Sequence, residues 1–111
     1  MVEVVLSHPD TGYLEKTLVE DVSDRRCFMY ADQEGAQCEF CIYEDGLSFF
    51  RQAEDHMLEL HLKEDAYAKI ITEEGILRFD VKVVDFKLNS DILIVRYIIN
   101  DENRTIEIKY Y

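Results

Sequence analysis

The stretch from Gly75 to Tyr97 limits the fold more than any other part of the chain. From Ile76 to Lys82, Leu77, Phe79 and Val81 alternate with Arg78, Asp80 and Lys82, the period of two of a strand with one wet face. At Val83-Val84 two apolar residues adjoin, and beyond them Val84, Phe86 and Leu88 carry the apolar side while Asp85 and Lys87 point the other way. One extra residue in a strand, a β-bulge, produces such a change of phase. Asn89-Ser90-Asp91 then turns the chain, and Ile92 to Ile99 returns. The expectation is a long antiparallel ribbon, bent near Val83-Val84.

The remaining segments repeat this pattern on a shorter scale. Val2, Val4 and Leu6 alternate as a first strand, stopped by Ser7-His8-Pro9-Asp10-Thr11-Gly12, a run of turn formers. Leu14 to Val22 and Arg26 to Ala31 read as strands, the latter turned by Asp32-Gln33-Glu34-Gly35. Acidic pairs at Glu44-Asp45, Glu54-Asp55, Glu64-Asp65, Glu73-Glu74 and Asp101-Glu102 punctuate the rest. Between them lie strand-length apolar runs: Gln37 to Tyr43, Leu47 to Gln52, Met57 to Leu62, Tyr67 to Thr72 and Arg104 to Tyr110. Ala53 to Leu62 is rich in helix formers, yet Leu58, Leu60 and Leu62 alternate with Glu59, His61 and Lys63, which favours a strand. The fold class predicted is all-β: an antiparallel meander closed as a small barrel of about eight to ten strands, because closure removes exposed sheet edges.

At 111 residues the chain has the length of a single domain, 1–111, able to bury a core without metals or staples. Acidic residues outnumber basic ones 24 to 12, a formal charge of -12 that repels phosphate backbones and anionic lipid. Nucleic acid and membrane surfaces are therefore not expected partners. No basic region precedes the short apolar run at Met1 to Leu6, and no run approaches the length of a membrane span. A cytoplasmic protein is expected, its three cysteines free and structural.

Three blocks carry a family likeness: Tyr43-Glu-Asp-Gly-Leu-Ser-Phe-Phe-Arg51, then Ile71-Thr-Glu-Glu-Gly-Ile-Leu-Arg-Phe-Asp-Val81, then Ile94-Val-Arg-Tyr-Ile-Ile99. Together they resemble the uncharacterised bacterial YwiB-like family of calycin-type, lipocalin-like β-barrels. The resemblance implies the architecture, marks Arg51, Thr72, Gly75 and Tyr97 as shared positions, and brings no known activity with it.

Candidate chemistry is sparse. Cys38-Glu-Phe-Cys41 has the spacing of a metal knuckle, but residues three apart on a strand face opposite ways, and no second pair accompanies them. His56 and His61 also fall on opposite faces and His8 lies in a loop, so no metal and no cofactor is expected. The adjacent acidic residues are solvated alike, unlike the separated carboxylates of acid-base catalysis. No nucleophile elbow, phosphate loop or dinucleotide fingerprint occurs, and the chain does not read as an enzyme. The candidate site residues are arginines within strands. Arg78 shares a face with Asp80 and Lys82, whereas Arg51 shares one with Leu47 and Phe49, and Arg96 with Ile94 and Ile98. An inward arginine must be paired, and it then suits an anionic head group.

Two functions compete on these grounds. In one the barrel binds a small apolar or amphipathic ligand, with Arg51 or Arg96 and Tyr97 as polar anchors. In the other it is a structural or protein-interaction module, filled by its own side chains, that forms a homodimer through Ile92, Ile94 and Ile98. Thirteen aromatic residues, seven Tyr and six Phe, are enough to fill much of a small interior.

Overall fold

The computed structural model describes residues Met1–Tyr111, and every regular element in it is a strand. The ten strands are β1 (Val2–His8), β2 (Tyr13–Val19), β3 (Cys27–Ala31), β4 (Gln37–Tyr43), β5 (Gly46–Gln52), β6 (His56–Leu62), β7 (Tyr67–Thr72), β8 (Gly75–Leu88), β9 (Ile92–Ile99) and β10 (Glu102–Tyr110). Their hydrogen-bonded order is β2-β1-β10-β9-β8-β7-β6-β5-β4-β3. Apart from β1 with β10, every adjacent pair in that order is consecutive in sequence, and β2 and β3 stand at its two ends, so the all-β antiparallel meander read from the sequence is the fold found. No helix is long and apolar enough to cross a membrane.

The chain forms two compact units, Met1–Val22 with Lys82–Tyr111, and Ser23–Val81. In the first, the alternation of β9 and β10 puts one set of side chains inside. Val4 opposes Ile108, which opposes Leu93, and Leu6 opposes Ile106, which opposes Val95. Val4, Ile108, Leu93, Ile106 and Val95 are each at most 1% exposed, and each such side chain contributes about 1.5–3 kcal/mol on burial. The β9–β10 hairpin closes on two residues, Asn100 and Asp101, both at positive φ (50° and 61°). This is the left-handed pair that a type I′ turn requires, and Asn and Asp tolerate it well.

In the second unit, Phe40, Phe49, Leu60 and Ala68 oppose one another in sequence across β4 to β7. Phe28 and Tyr30 of β3 pack on Phe40, with ring centroids 5.7 and 6.2 Å away. Ala53 to Leu62 contains strand β6 and no helix, with Leu58, Leu60 and Leu62 opposite Arg51, Phe49 and Leu47.

Three expectations need correction. The burial phase of β8 does not change at Val83-Val84: Phe79, Val81, Val83 and Asp85 stay half-buried, and the shift falls at Asp85-Phe86. Val84 is therefore 55% exposed rather than part of the apolar side. Strand β2 ends at Val19, three residues before Val22, since Glu20 and Asp21 are exposed. The thiols are not all free: Cys27 and Cys41 oppose each other across β3 and β4 and are joined as a disulfide, leaving only Cys38 free and buried. Alternation along β4 separates Cys38 from Cys41, and it is the register of β3 on β4, which spacing within one strand does not show, that brings Cys41 to Cys27.

Gly46 follows the two-residue Glu44-Asp45 turn, and a Cβ there would collide with the carbonyl oxygen of Leu62 in β6. That oxygen is backbone held in the β5–β6 ladder and cannot move aside cheaply. Gly46→Ala is expected to cost about 1–3 kcal/mol in urea unfolding, and an unchanged midpoint would contradict this packing.

Candidate ligand-binding groove

The turn from β1 to β2 creates one wall of a groove. Thr11 and Gly12 donate their N–H groups to the His8 carbonyl, both at 3.0 Å, and Gly12 takes a φ of 76° that its missing Cβ permits. Asp10 is thereby held against the start of β10, where its Oδ2 accepts the Asn103 N–H at 2.8 Å and Nδ2 at 3.3 Å. Pro9, Asp10, Val84, Arg96, Asn103, Arg104 and Thr105 line an open cavity of about 500 Å³ within the first unit. That volume lies in the range of small-molecule sites.

Register assigns its two guanidinium groups to different surroundings. Arg96 opposes Thr105, on the face of β9 that also carries Ile94 and Ile98, and is exposed with no carboxylate in ion-pair range. Tyr97 opposes Arg104, on the buried face. Arg104 Nη2 donates to Glu102 Oε2 at 3.1 Å, and Arg104 lies close enough to the Tyr97 hydroxyl to pull its pKa down. The Arg104 Nε is fully buried and has no hydrogen-bond partner. A buried N–H without an acceptor costs about 1–3 kcal/mol, so an oxygen ligand at that atom would recover a real deficit.

Neighbouring groups respond to burial and to this charge. Burial pushes the Tyr97 hydroxyl up to about 12, against the opposing pull of Arg104, so it keeps its proton. His8 is held below its ordinary value, first by burial and then by Arg104, with Glu102 opposing. Its ring lies against Tyr13, centroids 4.8 Å apart. The groove thus presents two arginines, Arg96 and Arg104, beside Asp10, with apolar surface from Val84 and Pro9, and Tyr97 lies behind it as the register partner of Arg104.

Arg51 belongs to the other unit and is already satisfied. Its Nε donates to Asp32 Oδ2 at 2.7 Å and its Nη2 to Glu34 Oε2 at 2.9 Å. Asp32 Oδ1 also accepts the N–H groups of Glu34 and Ala36, each at 3.0 Å, so the whole β3–β4 turn wraps this pair. Burial raises the Asp32 carboxyl, but the Arg51 and backbone hydrogen bonds outweigh it and hold it below the ordinary value of 3.8. Of the residues singled out from sequence, Arg96 lines the groove, Tyr97 is connected to it only as the register partner of Arg104, and Arg51 lies in the other unit. Arg104, Asp10, Asn103 and His8 were missed. Arg104 could have been found by counting back across the Asn100-Asp101 turn, which sets it opposite Tyr97.

The other chemically suggestive groups do not assemble. The Cys38 thiol is pushed up to about 11, by burial first and then by Asp32, which leaves it neutral and a poor nucleophile. No group of three or more His, Cys, Asp or Glu residues is placed to hold a metal ion.

The sign of the Asp32 shift gives a test. A carboxyl lowered in the folded state stabilises it above its unfolded value and loses that contribution as pH falls through the folded one. Arg51→Met is expected to cost about 2–3 kcal/mol at neutral pH by leaving Asp32 half unpaired. In urea titrations from pH 6 down to pH 2, it should also flatten the loss of stability below about pH 4. Parallel wild-type and variant curves would rule out this role for Asp32.

No family model and no curated protein matches the chain. Among solved structures, it is similar to the ywiB protein from Bacillus subtilis, at 16% identity, covering 99% of this chain and 88% of that one with a TM-score of 0.36.

Proposed function

We propose that this protein is a small-molecule binding module whose groove takes the anionic group of a partly apolar ligand. The observation that carries the reading is the buried, unpartnered Nε of Arg104 beside the protonated Tyr97 hydroxyl. Arg104 binds the anion side-on, the geometry in which guanidinium meets a carboxylate through two parallel hydrogen bonds. Tyr97 orients Arg104, Arg96 adds positive charge at the mouth, and Val84 and Pro9 receive the apolar part. Arg51 plays no part, because its donors are committed to Asp32 and Glu34.

A non-catalytic role fits the same groups. Tyr97 retains its proton, and the nearest imidazole, His8, is half-buried and depressed. The competing reading, a homodimer through Ile92, Ile94 and Ile98, has weaker support. Those side chains are half-buried rather than openly exposed.

Octanoate, benzoate and octyl phosphate, titrated into labelled protein and followed by amide chemical shifts, test the proposal. At least one should move the Asn103, Arg104 and Thr105 amides, with octanol far weaker. Arg104→Gln is expected to weaken that binding about tenfold or more, ~1.4 kcal/mol, while Arg51→Gln leaves it unchanged. Failure of all three anions at millimolar concentration, or equal binding by the Arg104 variant, would sink the reading.

A further inference from the structure

Strand β3 is five residues long and pairs with β4 alone, at one end of the hydrogen-bonded order. Ser23–Arg26 before it is exposed and forms no strand. On its buried face, Phe28 and Tyr30 hold it to Phe40. On its other face Cys27, exposed, stands directly opposite half-buried Cys41, with Cα atoms 4.2 Å apart and the sulfurs joined. The next pair on that face is Met29 and Glu39, which line a shallow cavity of about 260 Å³ with Phe50 and Met57. One covalent link therefore fastens a short edge strand that also walls an apolar hollow.

We propose that Cys27 and Cys41 form a reversible thiol–disulfide switch that fastens or frees β3. Exchange requires an accessible sulfur, and Cys27 supplies it at an exposed strand edge. The third cysteine cannot compete, since Cys38 is 2% exposed on the opposite face of β4. The oxidant is a low-molecular-weight disulfide such as oxidised glutathione. The Cys27 thiolate attacks one of its sulfurs and expels a glutathione thiolate, which leaves a mixed disulfide. The Cys41 thiolate then attacks the Cys27 sulfur, forming the cross-strand bond and expelling the second glutathione thiolate. Each departing thiolate takes up a proton lost by a cysteine, so two thiols are oxidised and one disulfide is reduced to two thiols.

Freed from this link, β3 keeps its aromatic packing but loses the restraint on its exposed face, and the wall formed by Met29 loosens with it. The whole chain, fully reduced, is equilibrated across glutathione redox ratios, acid-quenched, unfolded and alkylated for mass counting. Hydrogen exchange is measured on both end states. The reduced form should take three labels, and the oxidised form a single label at Cys38. Amides of Cys27–Ala31 should exchange about tenfold or more faster when reduced. Cys27→Ser and Cys41→Ser should exchange like the reduced form under every condition, and Cys38→Ser should switch normally. Three labels at every ratio, a mixed disulfide that persists in the wild type, or equal exchange in both states would each overturn the proposal. The wild-type comparison decides it even where a variant fails to fold.

Discussion

Alternation on an antiparallel ladder is the constraint on which the rest depends. Because the side-chain period is two, a one-residue slip exchanges the two faces of a strand. In β9 both faces are apolar enough to be inside: Leu93, Val95, Tyr97 and Ile99 on one, Ile92, Ile94 and Ile98 on the other. What separates them is Arg96. Burying it unpaired would cost several kcal/mol, so its face turns outward and Leu93, Val95, Tyr97 and Ile99 become buried. The Asn100-Asp101 turn then carries the register into β10 and sets Arg104 opposite Tyr97. A single charge among isoleucines thus settles where the second charge must sit.

How much of this was legible depended on how unequal the two sides of each strand were. β6 was readable despite its helix formers, because Leu58, Leu60 and Leu62 alternate cleanly with polar residues. β8 was harder. Val83 and Val84 are both β-branched and apolar, and hydrophobicity alone gives no preference for which of them faces in. The structure continues the earlier phase through Val83 and moves the break to Asp85-Phe86, where sequence had an acidic residue pointing away. Turn punctuation was the most reliable signal. Glu44-Asp45 and Glu73-Glu74 do sit at two-residue connections, where their charges remain hydrated. Pairings between strands distant in sequence were the least visible. Cys27 with Cys41, and Asp10 with Asn103, are set by register and loop placement that no periodicity reveals.

Arg51 and Arg104 show why a strand arginine cannot be interpreted from its own strand. Both lie on the side of their strand that carries apolar neighbours, Leu47 and Phe49 for one, Ile106 and Ile108 for the other. Arg51 meets the Asp32–Glu34 turn, whose backbone N–H groups already fix Asp32 in place, so two carboxylates complete its guanidinium. Arg104 meets only Glu102 through one terminal nitrogen, with a phenol beside it and a bare Nε. The difference lies in the partners the fold delivers. A completed guanidinium fixes a turn, whereas an incomplete one beside a cavity retains capacity for a ligand.

Under the binding proposal, the overall charge narrows what a ligand would be. A chain carrying -12 repels anions at long range, but in physiological salt that repulsion fades beyond roughly 8 Å. Inside the groove the nearest charges decide, and there Arg96 and Arg104 stand against Asp10 and Glu102. Asp10 is already committed to two donors of Asn103, and Glu102 to one nitrogen of Arg104. The remaining positive capacity is small, about one guanidinium edge and one exposed arginine. A polyanion would meet the repulsion of the whole surface for that limited gain. A monoanion with an apolar body meets less of it and adds burial against Val84 and Pro9, at about 25 cal/mol per Å². Under the binding proposal, the same acidity would select within the anions, toward singly charged molecules whose affinity would come as much from their hydrocarbon as from their charge.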